Sequence, residues 1–286
     1  MSRNRVNNII REHFKNMKKY SRKIIKNFDE EVIHDFRVEY KKMRAFLRMK
    51  TLSKQEDGPI TVSPLLKKWY QWAGALRDLQ LQQHSILTLT KATQNAPQKY
   101  LAAIEAAIKK IEKKLVALPA ISSGEGKARL SENPLLDPFV KYNCGVIRTI
   151  LKEQPYSDNQ IHQVRKSLKD IFYTIRGLAD DFDDIALSSG IPLKTEMNYF
   201  ETLLDQLGEF QNKSALLQLY SAEWTKHADS RELRTVNRLI SAVKKEKAAL
   251  RKEMMIHFQQ ELPVHLDLLC EGHFDVLIAA GKPTSK

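Results

Sequence analysis

The sequence predicts an all-α protein of eight helices, and three observations indicate that class. Glycine and proline are scarce, with 10 of each in 286 residues, which is too few for a β-sandwich rich in turns. Residue patterns that favour the start of a helix recur along the chain. No segment alternates polar and apolar residues between hairpin turns, as the strands of a half-buried sheet would.

Five residues are suited to cap a helix at its first turn, and two of them, Asn95 and Asn133, precede Pro97 and Pro134. Asp29 precedes two glutamates, whose charges favour the positive end of the helix dipole. Ser63 precedes a proline at the first helical position, and Ser157 forms a capping box with Gln160. From such signals and the spacing of apolar residues we predict helices over residues 4–27, 29–50, 63–94, 97–118, 134–153, 157–181, 192–226 and 229–261.

One Ser- and Gly-rich break in the middle of the chain divides these helices four and four. We therefore expect a first four-helix unit over residues 1–120, a linker over 121–133 and a second four-helix unit over 134–281. The residues after Gly281 are expected to be disordered.

The charge of the chain is strongly positive and unevenly distributed. It has 47 Lys and Arg against 34 Asp and Glu, a formal net charge of +13. Residues 1–50 alone hold 15 basic and 6 acidic residues. This balance excludes an acidic scaffold and indicates a polyanionic partner, namely a nucleic acid, a phosphate polymer or an anionic membrane face.

Compartment and redox state are also suggested by the sequence. The N-terminus has no apolar signal-peptide core, and the longest apolar run, residues 115–121, is far too short to cross a bilayer. Cys144 and Cys270 fit neither a metal-binding spacing nor a disulfide framework, so we interpret both as buried packing residues. We expect a cytoplasmic protein without membrane contact.

The strongest pattern is a repeat between the two halves. Residues 33–48 read IHDFRVEYKKMRAFLR, and residues 161–176 read IHQVRKSLKDIFYTIR, an ungapped match at an offset of 128. The aligned polar pairs are His34/His162, Arg37/Arg165, Lys41/Lys169 and Arg48/Arg176. Their spacing returns to one side of a helix, so each segment carries a basic stripe beside an apolar face.

A basic stripe can simply be a solvated surface, but this one occurs twice and has almost one sign. Asp35, Glu39 and Asp170 are the acids within the two segments, and none occupies a stripe position. Like charges along one face repel, which favours a ligand that neutralises them. The arginine fork suits phosphate oxygens, and a bound polyanion would favour charged forms of His34 and His162, so binding should tighten as the pH falls through about 6.5.

A weaker match follows each stripe. Residues 74–78, GALRD, align with residues 208–212, GEFQN. A glycine inside a helix costs about 1 kcal/mol relative to alanine. Because it occurs at the same place in both halves, we interpret it as permitting close approach between helices.

Four motifs in order resemble the CHAD domain family. They are His-x-x-Arg-x-x-x-Lys-Lys-x-Arg at 34–44, Gly-x-x-Arg-Asp at 74–78, His-x-x-Arg-Lys-x-x-Lys at 162–169 and Leu-Gly-Glu-x-Gln-Asn at 207–212. The resemblance covers nearly the whole chain. It implies two four-helix bundles related by an internal pseudo-twofold repeat, and a central basic groove that binds inorganic polyphosphate without catalysis, cofactor or metal.

The resemblance also carries the family's binding positions onto this chain. They are His34, Arg37, Lys41, Lys42, Arg44, Arg48, Arg77, His162, Arg165, Lys166, Lys169 and Arg176, with Lys213 adjacent to the last motif. Phe172 stands where the first stripe has Arg44, and Gln211-Asn212 replaces the charged pair Arg77-Asp78. These departures indicate a weaker second stripe.

Further basic residues lie on the first and last predicted helices, where they either widen the groove or form solvated faces. They are Lys15, Lys19, Arg22 and Lys26 on the first helix, and Arg231, Arg238, Lys245 and Lys252 on the last. The acidic run at residues 180–184 lacks further ligands, so we interpret it as a solvated loop rather than a metal site.

Two alternatives stay open. A basic stripe also binds nucleic acid without reading its sequence, although no nucleic-acid-binding motif is visible and aromatic residues do not interleave with the basic ones. The dipeptide His34-Asp35, with His13 and Asp78, is the other alternative, a metal-dependent phosphohydrolase. Its weakness is that residue 163, which aligns with Asp35, is glutamine.

Overall fold

The computed structural model describes residues 5–53, 62–91, 96–122, 135–179, 185–187, 189–220, 226, 228–272 and 274. Within these ranges the chain is almost entirely helical, as predicted. The helices are α1 (Arg5–Asn27), α2 (Glu30–Ser53), α3 (Pro64–Lys91), α4 (Gln98–Val116), α5 (Leu136–Leu151), α6 (Asp158–Leu178), α7 (Leu193–Leu219), α8 (Ser230–Ile256) and α9 (Leu262–Glu271).

The helices pack mainly against their neighbours in sequence. Helices α1 to α4 pack in succession, and so do α5 to α8, while α9 folds back against α5. This is compatible with two four-helix bundles, and the assignment of two separate bundles stays a prediction. The linker predicted over residues 121–133 lies almost wholly outside the described residues, as do the acidic run at 180–184 and the tail after Gly281.

The predicted caps are present at three helix starts. Asn95 and Asn133 lie outside the described residues, and α4 and α5 begin after Pro97 and Leu135 without a side-chain cap. Asp29 accepts a hydrogen bond from the amide of Val32 at 2.9 Å, and Ser63 accepts one from the amide of Leu66 at 3.1 Å. Ser157 and Gln160 form the reciprocal capping box. These bonds satisfy amide groups that no intrahelical carbonyl can reach, so short sequence patterns fixed these ends.

The last predicted helix, expected to end at 261, continues further. Between α8 and α9 the chain takes one wider π-helical turn over His257–Glu261, and the helix then runs to Glu271. Pro263 lies directly after this turn. A proline ring clashes with the carbonyl four residues earlier in a regular α-helix, and a wider turn before it lets the helix continue past the proline.

The two repeat segments lie on α2 and α6, which pack against each other and so join the two halves. The apolar set predicted to enter the core is buried throughout: Ile33, Phe36, Tyr40, Met43, Leu47, Ile161, Val164, Leu168, Ile171 and Ile175. Burying one face of each helix at this junction fixes where the neighbouring basic stripes lie.

No helix among the described residues is long and apolar enough to span a membrane. The thiols of Cys144, on α5, and Cys270, on α9, are free. Cys144 is buried as predicted, whereas Cys270 is only partly buried because it lies near the exposed end of α9.

Candidate anion-binding site

Five basic residues from both halves form one group, called here the central cation cluster. Lys41, on α2, experiences the charges of Arg37 and Arg77 from its own half and of Arg165 and Lys169 from the other half. Burial, followed by repulsion from these cations, lowers the pKa of Lys41 to about 7. Burial and Arg165 lower the pKa of Lys169 to about 8. The two stripes therefore meet in one place.

Little negative charge compensates the cluster. Asp78, on α3, and Asp205, on α7, act on it at longer range, and no cluster residue forms an ion pair with a described carboxylate. Burial raises the pKa of Asp78. The Nε atoms of Arg77 and Arg165 are buried without a hydrogen-bond partner. Buried donors and cations without partners are costly, so this group of side chains is chemically suited to an anion.

The paired glycines explain how two arginines reach the cluster. A Cβ atom on Gly74 would overlap the guanidinium of Arg37, and a Cβ atom on Gly208 would lie 3.3 Å from Nη2 of Arg165. Both glycines therefore give space to the arginine of the adjacent helix in the same half. The two glycines do permit a close approach, as predicted, but the group that approaches each glycine is an arginine guanidinium and not a helix backbone.

The paired histidines make corresponding contacts. His34 accepts a hydrogen bond at Nδ1 from Arg77, and His162 donates one from Nδ1 to Gln211 at 2.9 Å. Burial lowers the pKa of both imidazoles, and nearby cations lower it further. Both shifts favour the neutral imidazole in the ligand-free protein, and burial is the larger cause.

Tyrosines line the first half of the site, which corrects the prediction that aromatic residues do not interleave with basic ones. Arg37 lies 4.6 Å above the ring of Tyr70 and donates to its carbonyl at 3.2 Å. The Tyr70 ring stacks on Tyr40 with centroids 4.1 Å apart, and the guanidinium of Arg44 lies 5.8 Å from the centroid of the Tyr40 ring. Tyr70 lies one helical turn before Gly74, and this spacing was the signal in the sequence that places its ring near Arg37.

The ends of the stripes are held by acids from other helices. Arg48 forms a two-point ion pair with Asp170 of the opposite half, with Nε to Oδ2 at 2.6 Å. Arg176 pairs with Glu201 at 2.6 Å. Asp170 occupies no stripe position on its own helix, and it reaches Arg48 because α6 packs against α2, which the sequence of one helix does not reveal.

The remaining predicted positions are more peripheral. Lys42 lies 3.9 Å from Glu39, Lys213 pairs with Glu246 on α8, and Lys166 is exposed beside His162. The basic sets of α1 and α8 lie on exposed faces of those helices: Lys15, Lys19, Arg22 and Lys26, then Arg231, Arg238, Lys245 and Lys252. Their part in binding stays a prediction.

The residues of the alternative metal site have other partners. His13 contacts Glu39 at 2.8 Å, and Asn16 donates to the same carboxylate. His34 faces Arg77, as described above. Within the described ranges, no three histidine, cysteine or carboxylate side chains are grouped so that they could hold a metal ion.

Comparison with known proteins agrees with the geometry. The CHAD domain family profile matches residues 8–133. A crystal structure of the CHAD domain from the plant Ricinus communis superimposes with a TM-score of 0.65 at 13% sequence identity, covering 98% of this chain and 92% of that one. No curated protein matches the chain significantly. The profile match lies in the half with the more complete basic stripe, and the structural match extends the shared fold to the second half.

Proposed function

The chain belongs to the CHAD domain family, and from that premise we propose that it binds inorganic polyphosphate at the central cation cluster, as a binding module and not as an enzyme. The proposal places the protein in the cytoplasm, where it would associate with polyphosphate granules. It assigns the positioning of phosphates to the basic residues, and pH-dependent donation to the two histidines.

The observation that carries the proposal is the convergence of uncompensated cations from both halves. Two lysines with pKa values of about 7 and 8 are at the edge of losing their charge in the ligand-free protein. A phosphate chain placed among them would restore the charged forms and satisfy the orphan N–H groups of Arg77 and Arg165. Each phosphate of such a chain carries charge, and no sugar separates one charge from the next.

Parallel titrations test the proposal. Long-chain polyphosphate, single-stranded RNA and duplex DNA are each titrated at several salt concentrations, with ligand expressed as phosphate. We expect polyphosphate to bind most tightly and to displace both nucleic acids, with affinity falling steeply as salt rises because counterions are released. If polyphosphate fails to displace RNA or DNA at equal phosphate concentration, the nucleic-acid alternative is the better one.

A double charge reversal tests the location. Arg37→Glu with Arg165→Glu puts an acid in each half of the cluster and is expected to reduce polyphosphate affinity more than about a hundredfold. The matched control is Lys110→Glu with Lys113→Glu, which changes net charge equally on the exposed face of α4. Equal losses in the two double variants would mean that the whole-molecule charge, and not the cluster, determines binding.

A further inference from the structure

A large cavity opens beside the central cation cluster, at the junction of α2, α3, α5 and α6. Its volume is about 810 Å³, which is within the range of small-molecule sites. The rings of Tyr40, Tyr70, Phe139 and Tyr142 line it, together with aliphatic side chains. An inorganic phosphate chain has no apolar surface with which to occupy such walls.

Two cations of this cavity have no acidic partner. Arg44 lies over the Tyr40 ring, and the side chain of Lys67, on α3, forms no ion pair or hydrogen bond with a described residue. Asp170 is the carboxylate among the described lining residues, and Arg48 already neutralises it. The cavity therefore combines aromatic surface with free positive charge.

The wall of the cavity is shared with the cluster. Tyr70 presents its ring to the cavity and carries Arg37 on its face. A ligand in the cavity with a phosphate tail directed along this wall would reach the cluster. The site thus suits an anion with an aromatic ring at one end and phosphates at the other.

The corresponding cavity of the second half differs in the properties that matter. It is smaller, about 370 Å³, and its lining includes Lys42, Phe172 and Arg176. Glu201 lines it at the position that matches Lys67, by the same offset that relates Gly74 to Gly208, and it pairs with Arg176. The cation at that end is neutralised, so the two ends of the site are chemically unequal.

We propose that the larger cavity binds the base of a nucleoside polyphosphate whose phosphates enter the central cation cluster. This inference rests on the proposed function, since the phosphates occupy the same cations. The base would stack on the exposed ring of Tyr142, which is 57% exposed, and Arg44 and Lys67 would contact the first phosphates.

Calorimetric titrations with adenosine 5′-triphosphate and inorganic tripolyphosphate, both in the presence of a chelator, test this inference. Tripolyphosphate carries at least as much charge, yet we expect the nucleotide to bind about tenfold more tightly because its base stacks. Tyr142→Ala should remove that advantage and leave tripolyphosphate affinity unchanged. Lys67→Glu, which copies the acid of the second half, should weaken the nucleotide more than tripolyphosphate.

The control is Ile256→Ala on α8, an equally exposed apolar side chain outside the cavity, which should change neither affinity. Equal wild-type affinities for the nucleotide and tripolyphosphate would overturn the inference and leave polyphosphate binding intact. A nucleotide preference that survives Tyr142→Ala would also overturn it. If neither ligand nor long-chain polyphosphate binds, the proposed function fails with it.

Discussion

The two halves of the protein share the centre of the site and differ at its ends. In each half an arginine fills the space over a helical glycine, and a histidine bonds to the residue three positions after that glycine. Beyond this centre, the first half has Arg44 and an open aromatic cavity, whereas the second has Phe172 and a smaller cavity containing an ion pair.

The contrast shows that the two halves agree most closely where their arginines meet and differ in the side chains around that point. Phe172 is 8% exposed and packs with the core, so this position of the second half contributes apolar burial where the first half has the positive charge of Arg44. Gly74 allows no such exchange, because any larger side chain there would displace Arg37.

The largest expected difference between the halves is in the free energy of unfolding, when Arg48 or Arg176 is replaced by alanine. Arg48→Ala would leave the buried carboxylate of Asp170, whose side chain is 7% exposed, without its partner. We expect a loss of about 3 kcal/mol in the free energy of unfolding. Arg176→Ala removes an exposed pair with Glu201 and should cost less than about 1 kcal/mol.

Urea unfolding of both variants, followed by circular dichroism, measures the contrast. Arg48→Ala with Asp170→Ala is the control, because it removes the stranded carboxylate and should recover part of the loss. Similar losses for Arg48→Ala and Arg176→Ala would show that the cross-half ion pair does not distinguish the two ends.

The glycines should give a smaller contrast, in binding. Alanine at residue 74 displaces the Arg37 guanidinium and is expected to weaken polyphosphate binding about tenfold, the value of one charge-assisted hydrogen bond. Alanine at residue 208 requires only a slight shift of Arg165 and should weaken binding less than about threefold. Because Arg37 is flexible, both variants should fold, with a gain in helix stability of up to about 1 kcal/mol.

Binding titrations and thermal melts of the two alanine variants separate these effects. A loss of affinity that accompanies a loss of stability would indicate that the backbone, and not the arginine, has moved. Affinities that fall equally at both positions would contradict the closer fit found at Gly74.

The smallest expected contrast is in proton uptake. A bound polyanion raises the pKa of nearby cations, so binding takes up protons and affinity falls as the pH rises above about 7. At pH 8, Lys41, with a pKa of about 7, should take up close to one proton, and Lys169, with a pKa of about 8, about half a proton. His34 and His162 have lowered pKa values and should contribute below about pH 6.5.

Calorimetry in buffers of different ionisation enthalpy measures the protons taken up at pH 8. Lys41→Arg should reduce the uptake more than Lys169→Arg does, since arginine keeps its charge throughout. An uptake of zero in the wild-type protein, or affinity that stays constant from pH 5.5 to 8, would contradict the crowding of cations described here.

Local patterns predicted much of the fold. The caps at Asp29, Ser63 and Ser157 and the buried faces of α2 and α6 follow from residue type and helical periodicity, which act over a few turns. The π-helical turn before Pro263 was not predicted, because a proline indicates the end of a regular α-helix. The wider turn accommodates the proline ring, and the helix continues past it.

The residues of the candidate site could be predicted from the sequence, but their arrangement in space could not. The repeat identified Arg37, Arg165 and the histidines, but one helix cannot reveal what faces it. The ion pair of Arg48 with Asp170 and the approach of Lys41 to Lys169 both depend on how α2 crosses α6. Tyr70 was not predicted as a site residue, because an aromatic residue at helical spacing is typical of a buried core. Its contact with Arg37 depends on how α2 packs against α3.

Similar contacts recur on both sides of the centre, and this affects the direction in which a chain-like ligand can lie in the site. An inorganic phosphate chain reads the same from either end, so a site with an arginine and a lysine from each half would accept it in two related orientations. A nucleic acid strand has a 5′ and a 3′ end, and it can satisfy matched donors in only one half at a time. A preference for one orientation would therefore come from what differs between the halves, namely Arg77 against Gln211 and the unequal cavities at the margins.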